Sequence, residues 1–293
     1  MLSLARVPLP RIGSFTINDE GVLSLINRPL TLRLQALENE GIPTYMDKNL
    51  TYSTMDSYLL DLLAYHDSRL LHQPNSIYDE DDCRQQMAVL SIMRSIVRNF
   101  VDSSLRHGPF FISLTDIHQS NIFVDSNWNI KCLIDLEWTC SMPIGMAYPP
   151  HWLTDRGVDQ LVDEHLVAYN KVREEFMKIF ESEERLSCPT NHALIHTSAI
   201  KQVWENGGFW YFAALESTKG MYNIFHDHIR PLFDPPSILD AGKFERTLSS
   251  YWSPHVEKTV SVKMKDKARY ENELRDAFEA DQSPSPSPSG STR

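Results

Sequence analysis

The sequence predicts an α+β fold that is mainly helical. Long segments repeat apolar residues at helical spacing, and two short stretches alternate apolar residues around turn-forming residues. The chain has 293 residues, of which 42% are hydrophobic, so it is long enough to bury a substantial core. We divide it into a hairpin-containing segment at 1–50, a main body at 51–262 and a tail at 263–293.

The first local element is a β-hairpin in the N-terminal segment. The stretch SFTINDEGVLSL, residues 14–25, places apolar residues on both sides of the turn-forming run NDEG. The rest of this segment is rich in loop-forming residues.

Two helices should open the main body. The first, at 51–71, begins with a possible capping box from Ser53 to Asp56 and then places Leu59, Leu62, Leu63 and His66 at helical spacing. The second, at 78–101, begins with the acidic run Asp79–Asp82. We interpret that run as a solvated helix N-terminus, where negative charge is favourable, with a metal site as the alternative.

The chain after residue 138 is also predicted to be helical. One helix is expected at 158–186. Two more helices, within 191–229, should be hinged near Gly207 and Gly208. Their aromatic residues are interpreted as core residues rather than as a platform for stacking nucleic acid bases: Trp204, Phe209, Trp210 and Phe212.

Four histidines are considered as a metal site: His192, His196, His226 and His228. Their spacing lacks the acidic or cysteine partners typical of zinc sites, so a structural or surface role is favoured.

The tail should form a charged, solvated helix with Lys267 and Glu271 one turn apart. It ends in the Ser/Pro-rich stretch DQSPSPSPSGSTR, which has the composition of a disordered segment.

Composition restricts the partners and the compartment. The formal net charge of −11 argues against binding to nucleic acid or to an anionic membrane surface. The four cysteines form no CxxC pair, and the first residues lack the apolar core of a signal peptide. We therefore expect a cytoplasmic or nuclear protein that is not secreted and does not span a membrane.

The stretches SLTDIHQSNIFVD, residues 113–125, and IKCLIDLEW, residues 130–138, carry the functional signal. The turn SNWN between them predicts a hairpin that brings Asn121 close to Asp135, with Asp116 in the preceding loop. A carboxylate, a carboxamide and a second carboxylate at this spacing suit phosphoryl transfer: one orients the attacking hydroxyl and two hold Mg²⁺. The alternative is a polar loop with a buried aspartate that caps backbone amides.

These motifs resemble those of the aminoglycoside phosphotransferase and choline-kinase-like family, in its fungal branch. The resemblance runs from the N-terminal hairpin to about residue 230 and implies the large lobe of a protein-kinase-like fold with a short catalytic hairpin. It implies Asp116 as catalytic base, Asn121 and Asp135 as magnesium ligands, ATP as donor and a small hydroxyl-bearing molecule as acceptor. Leu114 and Thr115 depart from the family pattern, which has His and Gly at these positions.

The sequence before Asp116 contains one lysine, Lys48, and no glycine-rich phosphate loop. We therefore expect that the small ATP-binding lobe is missing from this chain and that the chain alone is weakly active or inactive. Two function classes stay open: a truncated phosphotransferase, or a non-catalytic kinase-like binding or scaffold module. The surface where the small lobe would sit should be exposed and could associate with another chain.

Four acids after the site could meet a cationic substrate, although solvated helix acids are the favoured interpretation: Glu137, Asp155, Asp159 and Glu164.

Overall fold

The structure is a computed structural model that describes residues 1–187, 194–233 and 241–281. Helix accounts for 57% and strand for 11%, which confirms a mixed α+β fold that is mainly helical. The α-helices of the described ranges are α1 (Leu2–Ala5), α2 (Leu32–Asn39), α3 (Met55–His72), α4 (Glu80–Phe100), α5 (Asp163–Ser187), α6 (Ile195–Glu205), α7 (Gly208–Glu216), α8 (Met221–Ile224), α9 (Ala241–Ser249) and α10 (Val256–Asp281). A π-helix at Phe225–Ile229 follows α8.

The strands of the described part form two small antiparallel sheets. They are β1 (Gly13–Ile17), β2 (Leu23–Asn27), β3 (Phe110–Leu114), β4 (Ile122–Val124), β5 (Ile130–Leu133) and β6 (Thr139–Pro143). One sheet has the order β2-β1-β6-β3, and β4 and β5 form a separate two-stranded sheet.

Both predicted hairpins are confirmed. In the first, β1 pairs with β2, and Ile17 faces Leu23 across the turn. The sequence analysis did not foresee that β1 also pairs with β6, with Ser14 facing Cys140. The N-terminal hairpin is therefore part of the sheet that also contains β3 and β6.

Helices α3 and α4 lie where the sequence predicts them, but their N-termini differ from each other. The capping box predicted for Ser53 and Asp56 is wrong: the N-cap of α3 is Thr54, which makes no side-chain capping bond. The Asp56 carboxylate is paired with Arg106 at 2.6 Å, so it is not available to cap its own helix. In α4, by contrast, Asp79 accepts a hydrogen bond from the Asp82 amide at 2.8 Å, as expected of an acidic helix start.

The core is centred on α7, in which every residue from Gly208 to Leu215 is buried. Phe100 of α4 stacks on Tyr211 with ring centroids 4.4 Å apart. The Tyr211 hydroxyl also donates to the Met93 carbonyl at 2.9 Å, which ties α7 to α4. The interpretation of the aromatic run as core is confirmed for Phe209, Trp210 and Phe212, while Trp204 is half-buried and packs against Phe209.

The predicted hinge between α6 and α7 is also confirmed. Gly207 separates the two helices and has a left-handed backbone with φ of 81°, a conformation that glycine adopts without steric cost.

The tail begins as one continuous helix, α10, which crosses the predicted division at residue 263. The Lys267–Glu271 ion pair is present at 3.0 Å, and residues 271–279 are exposed as expected. The start of α10 is packed instead of solvated: Val260 is buried, and fully buried Lys263 donates to the carbonyl of Gln73 at 2.7 Å. The Ser/Pro-rich stretch at 282–293 lies outside the described residues.

Candidate functional site

The two sequence motifs meet at one end of the larger sheet. Strand β3 ends at Leu114, which faces Thr139 at the start of β6. Asp116 follows Leu114 by two residues, and Asp135 precedes Thr139 by four residues. Because the paired strands are antiparallel, the loop that carries Asp116 and the loop that carries Asp135 leave the sheet side by side.

The second hairpin brings Asn121 next to the segment of Asp135. Ile122 of β4 faces Leu133 of β5, and the Ile134 amide donates to the Asn121 carbonyl at 3.1 Å. The backbone therefore places Asn121 and Asp135 at the same end of this hairpin, as the turn signal predicts.

The side chain of Asn121 fixes the loop that precedes it. Asn121 is 8% exposed, and its Nδ2 donates to the backbone carbonyl of Asp116 at 3.2 Å. Its Oδ1 accepts a hydrogen bond from the Ser120 hydroxyl at 3.2 Å. A carboxamide oxygen has two lone pairs, so Oδ1 retains one with which to bind a cation.

The two carboxylates are not used to stabilise the fold. Within the described residues, neither the Asp116 nor the Asp135 side chain makes a hydrogen bond or an ion pair, and Asp135 is exposed. Asp135 also has a positive φ of 56°, which is uncommon for a residue with a side chain. An unpaired carboxylate on a strained backbone is typical of functional positions, and it disfavours the alternative of a buried aspartate that caps backbone amides.

The donor set fits a hard divalent cation such as Mg²⁺. Asn121 and Asp135 supply an amide and a carboxylate oxygen, and magnesium sites usually combine one or two protein oxygens with water and phosphate oxygens. No cluster of three or more His, Cys, Asp and Glu side chains is placed to bind a metal anywhere in the described ranges. A site here would therefore depend on ligands from water or a nucleotide.

The β4–β5 hairpin, which the resemblance implies to be catalytic, has an exposed apolar surface beside these residues. Phe123 and Ile130 are 52% and 65% exposed, and Ile134 is 38% exposed. Phe123 faces Cys132, which is also exposed. Isolated two-stranded hairpins are marginally stable in water, so this surface is suited to contact another molecule or domain.

Two further contacts among titratable and aromatic side chains were missed by sequence reasoning, and one of them involves the Asp116 loop. The Tyr148 hydroxyl donates to the Glu216 carboxylate, and burial raises the pKa of Glu216. The His118 ring in the Asp116 loop lies 6.2 Å from the Trp152 ring, and burial lowers the pKa of His151 to about 4. These residues come from distant parts of the chain, and no local pattern links them.

The remaining candidate residues have ordinary surroundings. Glu137, Asp155, Asp159 and Glu164 are all exposed, in agreement with the interpretation as solvated acids. Of the four histidines, His192 lies outside the described residues, and the ring of His228 stacks on Trp210 with centroids 3.5 Å apart. Lys48 is exposed in a turn.

No protein-family model, curated protein or solved structure matches this chain. Among the helices that the structure describes, none is both long enough and apolar enough to cross a membrane. The motif at residues 113–138 and the geometry of the site are therefore the grounds for assigning a class to this protein.

Proposed function

We propose that this protein belongs to the aminoglycoside phosphotransferase and choline-kinase-like group and that its site serves ATP-dependent phosphoryl transfer to a hydroxyl of a small molecule. One observation supports the proposal: the sheet end and the hairpin bring the backbone segments that carry Asp116, Asn121 and Asp135 side by side, and within the described residues neither carboxylate makes a hydrogen bond or an ion pair.

Each residue has a distinct role in this proposal. Asp116 orients the acceptor hydroxyl and accepts its proton as the phosphoryl group is transferred. Asn121 and Asp135 would hold Mg²⁺, which neutralises the negative charge of the phosphates when it is bound. The Asn121 amide also keeps the Asp116 loop in place through the bond to its carbonyl.

The exposed apolar surface of the catalytic hairpin supports the same proposal. Phe123 follows Asn121 by two residues and Ile134 directly precedes Asp135, so an apolar surface adjoins the proposed metal ligands. A nucleotide or a partner domain that covers this surface would exclude water from the site and strengthen its electrostatic interactions.

A second function, a non-catalytic binding or scaffold module, is favoured by one observation. Lys48, the single lysine before Asp116, is exposed in a turn, whereas a phosphate-binding lysine in kinases lies on a strand. Under this alternative the exposed hairpin surface would bind another chain without any transfer of phosphate.

Manganese binding followed by electron paramagnetic resonance tests the metal site. We expect Asp135→Asn and Asn121→Leu each to weaken Mn²⁺ binding by about tenfold or more, because each removes an oxygen ligand. Asp155→Asn is the matched control, since Asp155 is an exposed acid outside the site. Equal Mn²⁺ affinity in all four proteins would overturn the proposal.

Phosphoryl transfer itself can be tested with radiolabelled ATP and a panel of small alcohols and amino alcohols. Where transfer is detected, Asp116→Asn should lower the rate by about a hundredfold or more, the usual contribution of a general base. An unchanged rate would exclude Asp116 as the catalytic base and leave the metal site to be judged from manganese binding.

A further inference from the structure

We propose that Thr115 is a positioning residue that fastens the loop carrying Asp116 to the segment carrying Asp135. The inference rests on the proposed function, because it concerns how this chain holds that site in shape. Thr115 precedes Asp116 directly, and its bonding partner Trp138 follows Asp135 by three residues.

The contact is a hydrogen bond between the two motifs. The Thr115 hydroxyl donates to the Trp138 carbonyl at 2.5 Å. The neighbouring strand pair, Leu114 and Thr139, is the last pair between β3 and β6. The Thr115 bond therefore extends the connection between the two segments by one residue, toward the carboxylates.

The segment that receives this bond is itself a closed turn. The amide of Thr139 donates to the Leu136 carbonyl at 3.2 Å, and the Thr139 hydroxyl donates to the same oxygen at 2.5 Å. Since the turn spans Leu136 to Thr139, holding Trp138 in place also restricts the position of Asp135. A single hydroxyl thus restrains both acidic segments.

Among the described residues, no other strong donor bonds to the Trp138 carbonyl. The Cys140 thiol lies 3.8 Å from the Trp138 carbonyl, and a thiol is a weak donor. The thiol also contacts the Ser14 hydroxyl at 3.2 Å, which in turn accepts the Leu30 amide at 2.8 Å. Cys140 therefore anchors β6 to the N-terminal hairpin, while the Thr115 hydroxyl connects the Asp116 loop to Trp138.

This contact depends on the residue type at position 115. Glycine, which the related family pattern has here, carries no hydroxyl and could not form the bond.

The experiment compares Thr115→Val, which removes the hydroxyl at nearly constant shape, with Thr115→Ser, which retains it. Thr247→Val is the matched control, because Thr247 is an exposed threonine whose hydroxyl donates to the Lys243 carbonyl within α9. Amide hydrogen exchange is measured in segments 115–121 and 134–139, together with Mn²⁺ affinity and the stability to urea.

We expect Thr115→Val to speed exchange in both segments and to weaken Mn²⁺ binding by about threefold to tenfold, the factor that one neutral hydrogen bond represents. Thr115→Ser should restore both values, and Thr247→Val should leave both unchanged. A lower stability alone does not produce this pattern, because global destabilisation would speed exchange across the whole Thr115→Val protein and not only in segments 115–121 and 134–139.

Two outcomes contradict the inference: exchange in 134–139 that is unaffected by Thr115→Val, or a serine variant that behaves like the valine variant. If the unmodified protein binds no Mn²⁺ through Asp135, the proposed function fails. The exchange measurements still decide the role of Thr115 in that case, so the two failures are distinguishable.

Discussion

Acidification should destabilise the fold through one buried histidine, His66 of α3. Its side chain is 2% exposed, and its Nε2 lies 2.8 Å from the Leu215 carbonyl, so the neutral ring donates to α7. Burial lowers the pKa of His66 to about 3. The hydrogen bond to Leu215 opposes this shift, whereas the positive charges of three nearby arginines add to it: Arg69, Arg33 and Arg94.

The sign of the effect follows from proton binding. In the unfolded chain this imidazole takes up a proton near pH 6.5, whereas in the folded protein it does so only near pH 3. The unfolded state therefore binds more protons across this window, and stability that is complete above pH 6.5 is lost as the pH falls toward 3. The loss attributable to His66 is about 2 kcal/mol at pH 5 relative to pH 7.5.

The assay is urea unfolding at pH 7.5 and pH 5.0 for the unmodified protein and for His66→Gln. Glutamine retains a donor for the Leu215 carbonyl but does not titrate. Between pH 7.5 and pH 5.0, the His66→Gln protein should therefore lose about 2 kcal/mol less of its free energy of unfolding than the unmodified protein. The same pH dependence in both proteins would refute the argument. It would show that other groups whose pKa is lowered in the folded protein, such as the imidazole of His151, dominate the acid response.

Three further predictions concern the fold and the nucleotide. Gly207→Ala should lower the free energy of unfolding, measured in urea, by about 2–4 kcal/mol, because a Cβ on this left-handed backbone meets the Leu232 side chain. Gly21 has nearly the same φ, 79° against 81°, but open space around it, so Gly21→Ala should cost only about 1 kcal/mol. Glu184→Gln should lower the free energy of unfolding by about 1–3 kcal/mol in the same assay, because both Glu184 carboxylate oxygens accept hydrogen bonds from backbone amides in the first turn of α6. An unchanged free energy of unfolding would contradict that role. Calorimetry of this chain should show Mg·ATP binding no tighter than about millimolar, since Lys48 is exposed and residues 1–115 contain no glycine-rich loop. A low-micromolar dissociation constant would contradict this reasoning.

The sequence predicts the local elements well because they depend on local chemistry. Helical spacing locates α3 and α4, the acidic run at Asp79–Asp82 lies at the start of α4 as predicted, and the turn residues define both hairpins. The failure at Asp56 has a tertiary cause: Arg106, 50 positions later in the chain, takes the carboxylate that the capping pattern requires.

Only the local part of the candidate site can be predicted from the sequence. The turn between β4 and β5 is enough to bring Asn121 to Asp135, because hairpin pairing is local. The strand pairing of β3 with β6 and the bond from Thr115 to Trp138 join segments separated by a loop and a hairpin, so no periodic signal encodes them. Burial of Lys263 is likewise decided by the carbonyls at the end of α3, which α10 meets only in the folded protein.

The most direct test of the central claim is a crystal structure with Mn²⁺ and a non-hydrolysable ATP analogue, with the metal located from its anomalous scattering. The account predicts one metal peak within bonding distance, about 2.0–2.3 Å, of both Asn121 Oδ1 and an Asp135 carboxylate oxygen. It also predicts that the Asp116 carboxylate faces the terminal phosphate across a space that fits a hydroxyl group. A metal bound elsewhere, or an Asp135 side chain directed away from Asn121, would contradict the assignment of these residues to phosphoryl transfer.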